Sequence, residues 1–289
     1  MQDRMAVAAK AAATKRAKNI LNMHSESISH GALKNENEHR RDVCTVGYWF
    51  HQRGFVAATD GNISLRLGPH TILASPTGIS KGMMSPDDLV VTDLAGGRIS
   101  GQRNPSSELA MHLLIYRRRP EVNAVCHAHP PTATGYAAAG LPLNKALLSE
   151  AVIGLGCVPL AEYGTPGTSE LTESIEPFVQ SHDAILMANH GVVTYGTDLL
   201  TAFYRMETVE HFARVALVTE LLHKQVLLSG KDVEKLLAAR VRYGLETTAG
   251  GATGCLVTSD AAEPDRVTLT RRELETLVEE AVKNDRARR

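Results

Sequence analysis

The chain has 289 residues, of which 43% are hydrophobic and 22% charged, and its formal net charge is −1. At roughly 100–200 residues per domain, this length allows one large globular domain or two small ones. The even balance of charges excludes a strongly basic nucleic-acid binder and a polybasic membrane-surface protein, and no apolar run approaches the roughly 18 residues that a membrane span needs.

The composition divides the chain into three predicted regions. Residues 1–41 are polar and charged, which is typical of an N-terminal arm, and they lack the apolar stretch of a secretory signal. Residues 42–245 alternate between helical and strand patterns and are expected to form one α/β domain. Residues 246–289 begin with a Gly-rich linker and end in an amphipathic helix, which opens with the capping box Thr270-Arg271-Arg272-Glu273. The four cysteines lack CxxC spacing and are no disulfide framework, which favours a reducing, cytoplasmic location.

Within the α/β region, period-two and helical hydrophobic patterns follow one another. A helix is predicted from Asp42 to Gly54, and a second opens with Asn104 as N-cap and Pro105 in its first turn. That second helix is expected to run to Arg118. Strands are predicted at 63–67, 71–74, 88–93, 124–129, 152–160 and 184–188, with further helices at 132–139 and 197–229.

Two histidines at the end of a predicted buried strand are the first candidates for chemistry. His127 and His129 are separated by one residue, so on a strand both imidazoles point to the same face. Pro130 and Pro131 follow and end the strand. Such a pair is half of a metal site, although His-x-His is equally found as a polar strand edge.

Two further residues extend this set. His190 follows the apolar strand 184–188, at the kind of strand end where α/β proteins place functional groups, although it is also explained as a turn residue. Glu108 falls in the first turn of its predicted helix, where a carboxylate also simply complements the helix dipole. Together, three imidazoles and a carboxylate suit a divalent metal such as Zn²⁺. A carboxylate that can leave the metal can act as a base.

Three small, donor-rich pairs offer backbone N–H groups or hydroxyls to an anion. They are Gly61-Asn62, Thr77-Gly78 and Ser106-Ser107. The serines are predicted at a helix N-terminus, which attracts phosphate through its free N–H groups and its dipole. Each pair alone is equally explained by ordinary turn or cap chemistry.

Five strings in one order resemble the class II aldolase/adducin family, and within it the fuculose-phosphate aldolases. They are Thr59-Asp60-Gly61-Asn62-Ile63-Ser64, Ser75-Pro76-Thr77-Gly78-Ile79, Pro105-Ser106-Ser107-Glu108, His127-Ala128-His129-Pro130 and Asn189-His190-Gly191. The similarity covers roughly residues 40–245. It implies a three-layer α/β/α sandwich around a mainly antiparallel sheet, and a C4 homotetramer with active sites between adjacent subunits.

The resemblance also implies a role for each residue of these strings. His127, His129 and His190 are the expected metal ligands, and Glu108 is the expected fourth ligand and catalytic acid/base. The expected phosphate site consists of Gly61, Asn62, Thr77, Gly78, Ser106 and Ser107. Tyr243 is expected to close over the site and protonate the leaving aldehyde. Zn²⁺ is the expected metal, with Mn²⁺, Co²⁺ and Fe²⁺ as alternatives.

The implied reaction is metal-dependent cleavage of a ketose 1-phosphate into a dihydroxyacetone phosphate-type enediolate and an aldehyde. The metal would stabilise the enediolate as a Lewis acid, and the turns would hold the phosphate. One departure concerns the aldehyde half of the substrate. The fuculose-phosphate enzymes supply a second tyrosine to the neighbouring site, whereas residues 141–158 contain none here.

Other activities of the same family stay open. Sister epimerases carry Asp where this chain has Glu108, which favours the aldolase. Sister decarboxylases and dehydratases use the same metal on other substrates, including hydroxy acids, and the motifs do not separate them. Adducin-like interaction modules keep the fold but lose the metal histidines, which this chain retains, so metal content separates that alternative.

Overall fold

The centre of the molecule is an eight-stranded sheet. A computed structural model describes residues 34–240, 256–260, 271–272, 275–276 and 278. The strands are β1 (Asn62–Gly68), β2 (Thr71–Ala74), β3 (Val90–Asp93), β4 (Arg98–Ser100), β5 (Ala124–Ala128), β6 (Leu160–Ala161), β7 (Ala184–Met187) and β8 (Gly191–Gly196). Their order in the sheet is β4-β3-β2-β1-β5-β8-β7-β6. Among these strands of the described residues, only β6 and β7 pair in parallel, and the other neighbours are antiparallel.

Helices cover both faces of this sheet, which confirms the predicted three-layer α/β/α sandwich. They are α1 (Glu36–Gln52), α2 (Leu109–Arg118), α3 (Pro131–Ala138), α4 (Ser149–Gly154), α5 (Ser169–Val179), α6 (Leu199–Leu221) and α7 (Gly230–Ala239). Two 3₁₀ turns, Lys81–Met83 and Pro86–Asp88, follow the second strand.

The alternation of side chains along the strands separates two hydrophobic cores. On β5, Ala124 and Cys126 belong to the core under α1, α3 and α6, whereas Val125 belongs to the core under α2 and α5. His127 continues the Val125 side of the strand, because residues two apart share a face. It is therefore directed to the layer that contains α2, and Glu108 immediately precedes α2.

The second helix begins later than predicted. Asn104 does not cap it; α2 begins at Leu109. The reason lies in the backbone, because the carbonyl of Asn104 accepts a hydrogen bond from the N–H of Thr77, at 3.1 Å. The N–H of Ser106 donates to the carbonyl of Ser75 at 3.2 Å. Residues 104–106 are thus hydrogen-bonded to the turn at 75–77, and the helix begins only after them.

The prediction of a strand over 152–160 is wrong for most of its length. Residues 149–154 form helix α4, and only Leu160 within that range is in a strand. Ala151 and Val152 are buried, and a short apolar run of this kind does not by itself distinguish a buried helix from a buried strand. Strand β8 and helices α5 and α7 were not predicted. Helix α6 ends at Leu221, because His223 adopts a left-handed backbone with a φ of +51°, and Ser229 then begins α7 as its N-cap.

The ends of the predicted domain differ from the observed elements. Helix α1 begins at Glu36, where Asn35 and Glu38 form a capping box, so the predicted boundary at residue 42 falls inside this helix. Residues 271–272, 275–276 and 278 are helical and exposed, in the region of the predicted C-terminal helix. Most of the predicted linker and Tyr243 lie outside the described residues.

The cysteines and the helices bear on the predicted location. Cys44 and Cys126 are buried free thiols, whereas Cys157 is disulfide-bonded, which the expectation of a reducing location did not anticipate. Burial raises the pKa of the Cys44 thiol to about 12. Among the described helices, none has the length and apolar character needed to cross a bilayer.

Candidate active site

Three imidazoles meet at one edge of the sheet. His127 is on β5, His129 follows the end of that strand, and His190 occupies the turn between β7 and β8. Because β5 and β8 are antiparallel neighbours, the end of one and the beginning of the other coincide. The Nε2 atoms of His127 and His129 are 3.2 Å apart, and one ring nitrogen from each of the three lies within 4.8 Å of the others.

Two hydrogen-bonding groups fix the orientation of these rings. Nδ1 of His127 is 2.9 Å from the carbonyl oxygen of Val192, so its Nε2 points into the cluster. Nδ1 of His129 is 3.4 Å from a carboxylate oxygen of Asp60. Partners of this kind set the tautomer and the orientation of metal-binding histidines. Asp60 belongs to a recognised string, but sequence reasoning gave it no role.

Small residues leave room for the rings. A Cβ atom on Gly191 would lie 2.5 Å from Cδ2 of His129 and 2.7 Å from the carbonyl of Ala128. Gly61 has a φ of +72°, and a Cβ atom there would lie 2.8 Å from the carbonyl of His127. Both contacts are closer than real Cβ atoms tolerate, so these positions require glycine.

Glu108 closes the fourth side of the cluster, as the N-cap residue of α2. Its Oε1 is 3.0 Å from Nε2 of His190, and its Oε2 is 3.4 Å from Nε2 of His127. Burial alone would raise the pKa of this carboxyl, but the two histidines and the Asn62 amide outweigh burial and hold the pKa well below its ordinary value. The carboxyl is therefore ionised at neutral pH.

Asn62, one of the residues predicted to bind phosphate, contacts the carboxylate of Glu108. Its Nδ2 donates to Oε2 of Glu108 at 2.8 Å, and its side chain is buried. Its Oδ1 has no hydrogen-bond partner among the described residues. The hydrogen bond from this amide thus fixes the position of the Glu108 carboxylate. A role of Asn62 in phosphate binding stays a prediction.

The donor set fits a divalent metal. Burial lowers the pKa of His127 to about 3, so this imidazole is neutral at pH 7 and has a free lone pair. Two nitrogens bound to one tetrahedral zinc at about 2.0–2.1 Å would be about 3.3 Å apart. The separation of 3.2 Å between His127 and His129 matches that value. Three imidazoles and one carboxylate are also a ligand set that zinc and its neighbours accept.

The six residues predicted to bind phosphate fall into two groups. Gly61 and Asn62 are buried beneath the histidine cluster. The other four lie on two turns that the backbone bonds from Thr77 and Ser106 tie together. Thr77, Gly78 and Ser107 are exposed, and Ser106 is half-buried. The second group is therefore exposed to solvent and the first is buried, and phosphate binding by either group stays a prediction.

A buried row of polar side chains beneath Glu108 was missed by sequence reasoning. Nδ1 of His112 is 2.7 Å from Oγ of Ser64, and the same oxygen is 2.8 Å from the hydroxyl of Tyr116. Burial lowers the pKa of His112 to about 4. The spacing of four residues between Glu108, His112 and Tyr116 on one helix was the available signal, since such residues share a helix face.

Comparisons with known proteins agree with this geometry. Residues 41–217 match the model of the class II aldolase and adducin N-terminal domain. A 5-deoxy-D-ribulose 1-phosphate aldolase of Bacillus thuringiensis serovar kurstaki is 33% identical over 208 residues, which are 71% of this chain and 96% of the relative. A 3-oxo-tetronate 4-phosphate decarboxylase of Pectobacterium atrosepticum is 34% identical over 194 residues, which are 66% of this chain and 88% of that protein.

A solved structure shares the fold as well. An L-fuculose 1-phosphate aldolase superimposes with a TM-score of 0.66 at 30% identity, covering 73% of this chain and 98% of the other. The matched family region contains the three histidines, Glu108 and both exposed turns. The chain is therefore a member of the class II aldolase and adducin family.

Proposed function

We propose that this protein is a metal-dependent carbon–carbon lyase that cleaves a ketose 1-phosphate into a dihydroxyacetone phosphate-type fragment and an aldehyde. The observation that carries the proposal is the position of Glu108. An ionised carboxylate lies 3.0 and 3.4 Å from two imidazoles of a three-histidine cluster and is anchored by a buried amide. An interaction module without catalysis has no use for such a group.

The three histidines and Glu108 would hold the metal. Bound there, a divalent cation would supply Lewis-acid stabilisation of the negative charge that develops when the bond next to the ketose carbonyl breaks. Zn²⁺ is the ion we propose, since imidazole nitrogen is its common ligand. Metal analysis of the purified protein, with Mn²⁺, Co²⁺ and Fe²⁺ measured alongside, tests this choice.

Glu108 is the group proposed to move the proton. Cleavage removes a proton from the hydroxyl whose carbon departs as the aldehyde, and the electron pair of the broken bond stays on the ketose fragment. That carbon must then gain a proton. Glu108 begins ionised and can therefore accept the proton, and Asn62 keeps one of its oxygens oriented while the other exchanges the proton. Tyr243 remains a proposed donor to the aldehyde.

The exposed turns would hold the phosphate. Backbone N–H groups and hydroxyls of Thr77, Gly78, Ser106 and Ser107 are proposed to bind this group, which takes no part in bond breaking. Binding energy from a remote, unreacting group positions the reacting carbon against Glu108 and is therefore useful in the transition state.

Decarboxylation of a 3-oxo acid phosphate is the second candidate. One relative carrying that activity in its name is as similar to this chain as the aldolase relative is. The chemistry differs in the leaving group, since carbon dioxide departs in place of an aldehyde and no hydroxyl proton has to be removed. The lack of tyrosine in residues 141–158 also favours a reaction that places smaller demands on the leaving half.

A release assay distinguishes these reactions. The protein is incubated with a panel of ketose 1-phosphates and 3-oxo acid phosphates, with and without a chelator, and products are identified by mass spectrometry. Chelator-sensitive release of an aldehyde and a triose phosphate would support the aldolase, and release of carbon dioxide would support the decarboxylase. Interconversion of epimers without cleavage, or turnover that the chelator leaves unchanged, would contradict the lyase proposal.

The assembly and location also remain proposals. We propose a homotetramer in which sites lie between subunits, and a cytoplasmic location, which the free thiols of Cys44 and Cys126 favour and the disulfide of Cys157 does not. Apolar side chains at the end of α6 are exposed and would suit such burial: Leu217, Val218, Leu221 and Leu222. Light scattering coupled to size-exclusion chromatography measures the assembly directly, and a monomer at micromolar concentration would contradict it.

A further inference from the structure

Lys81 is a lysine whose side chain is almost entirely enclosed, with 1% of its surface exposed. It begins the 3₁₀ turn Lys81–Met83. Its Nζ donates to the carbonyl of Thr59 at 2.9 Å and to the carbonyl of Ile79 at 2.8 Å. Thr59 leads into the buried turn beneath the histidines, and Ile79 directly follows Gly78. One ammonium group therefore ties the turn under the histidine cluster to an exposed turn of the proposed phosphate site.

The charge of this ammonium is not matched by a close carboxylate. No carboxylate oxygen of the residues described here lies within 4.0 Å of Nζ. The acids that act on it from further away are Asp60 and Glu108, and both face the histidine cluster. Burying an unpaired ammonium costs several kcal/mol, so a fold that keeps one has another use for its charge.

The proposed phosphate site has no basic residue of its own. None of the strings 59–64, 75–79 and 105–108 contains lysine or arginine. A phosphate monoester carries close to two negative charges at neutral pH. Without a positive charge nearby, neutral N–H groups and hydroxyls alone would have to balance the charge of the phosphate. Lys81 supplies such a charge, because its Nζ donates to the carbonyl of Ile79, the residue after Gly78.

The surrounding structure holds the lysine rigidly. A Cβ atom on Gly47 of α1 would lie 2.7 Å from the carbonyl of Lys81, and a Cβ atom on Gly82 would lie 2.6 Å from the ring of His51. The 3₁₀ turn is therefore pressed against α1 with no space between them. A group fixed in this way loses little freedom when a ligand binds, which favours its use in recognition.

We propose that Lys81 is a positioning residue of the anion site. Its ammonium holds the turn that begins at Thr59 against the turn that ends at Ile79, and it supplies the positive charge that favours a phosphorylated ligand over its uncharged counterpart. The inference rests on the proposed function, because it requires that the turns at 77–78 and 106–107 bind phosphate. Lys81 contacts the backbone carbonyls of Thr59 and Ile79 and need not touch the reacting atoms.

Calorimetric titration of the metal-loaded protein with inorganic phosphate tests the inference without a substrate. Three variants separate charge from hydrogen bonding. Lys81→Met removes both, Lys81→Gln keeps two donors without the charge, and Lys81→Arg keeps the charge. Lys235→Met, at a lysine that is 64% exposed, is the matched control.

We expect the affinity for phosphate to fall about tenfold, or about 1.4 kcal/mol, in the Met and Gln variants. It should stay within threefold of wild type in the Arg variant and the control. The wild-type affinity should also weaken more steeply with added salt than that of the Gln variant, because screening acts on the charge. A purely structural role would not produce that difference. If the Met variant does not fold by circular dichroism, the Gln and Arg variants carry the comparison.

Equal phosphate affinity in wild type and the Gln variant would overturn the inference, and so would a wild-type protein that does not bind phosphate. The outcome is separable from the reaction. Failure of every substrate in the release assay, together with phosphate binding that depends on Lys81, would refute the lyase and leave the anion site. Turnover of phosphorylated substrates with unchanged KM in the Gln variant would refute the role of Lys81 and leave the lyase.

Discussion

Replacement of Glu108 by glutamine isolates the charge of the carboxylate from its shape. In the wild type, Oε2 accepts from Asn62 Nδ2 at 2.8 Å and Oε1 lies 3.0 Å from Nε2 of His190. A glutamine amide can match only one arrangement, with its oxygen towards Asn62 and its NH₂ towards His190. The variant therefore keeps the buried contact with Asn62 and loses the proton acceptor beside the histidines. We expect the fold and most of the bound metal to survive.

The loss in rate follows from the value of a positioned acid–base group, which is about 10²–10⁴-fold. At 1.36 kcal/mol for each tenfold change, this corresponds to roughly 2.7–5.4 kcal/mol in the activation barrier. Turnover is measured under saturating substrate, and bound metal by inductively coupled plasma mass spectrometry on the same sample. Turnover within threefold of wild type, with metal retained, would show that Glu108 is only a charge at a helix terminus.

Three further predictions address the ligands and their surroundings. His127→Ala and His190→Ala should each lose both metal and activity, and a variant that lacks metal but keeps the wild-type rate would refute the three-histidine site. Gly191→Ala places a methyl group 2.5 Å from the His129 ring, so overpacking should cost about 1–3 kcal/mol in urea unfolding and weaken metal binding; unchanged stability would contradict the packing argument. The fully buried His112 has a pKa of about 4 in the folded protein against 6.5 when exposed, so the unfolded chain takes up the proton first as pH falls. The free energy of unfolding of the metal-free wild type should therefore fall by about 3 kcal/mol more than that of His112→Gln between pH 6.5 and pH 4, at 1.36 kcal/mol for each pKa unit. Parallel curves of unfolding free energy against pH for the two proteins would disprove this.

The sequence was most informative where local pattern and chemistry coincide. The pairing of His127 with His129 follows from the two-residue period of a strand, and that period requires no tertiary information. The approach of His190 to this pair depends on β8 lying beside β5. That neighbour relation is non-local, and it came from the resemblance rather than from the spacing. The order of the five strings therefore predicted a meeting point that periodicity alone did not.

Other features depended on contacts between distant segments. Asn104 has the chemistry of a helix N-cap, yet its carbonyl pairs with the turn at Thr77, and the helix starts later. The apolar residues Ala151 and Val152 suit a strand or a helix, and the packing of α4 decides for the helix. Lys81 had no local signal, since its burial and its two carbonyl contacts arise from segments that the chain brings together only on folding.

The histidine cluster draws its members from stretches of chain that are far apart in sequence, and this has a consequence for the abundance of the protein. The unfolded chain cannot reproduce the arrangement of the histidines. A metal ion bound by the folded cluster therefore stabilises the native state by RT ln(1 + [M]/Kd), or about 2.7 kcal/mol when free metal is 100-fold above Kd. Starvation for the metal would thus do more than stop turnover. It would raise the unfolded fraction by about two orders of magnitude and expose the polypeptide to proteases.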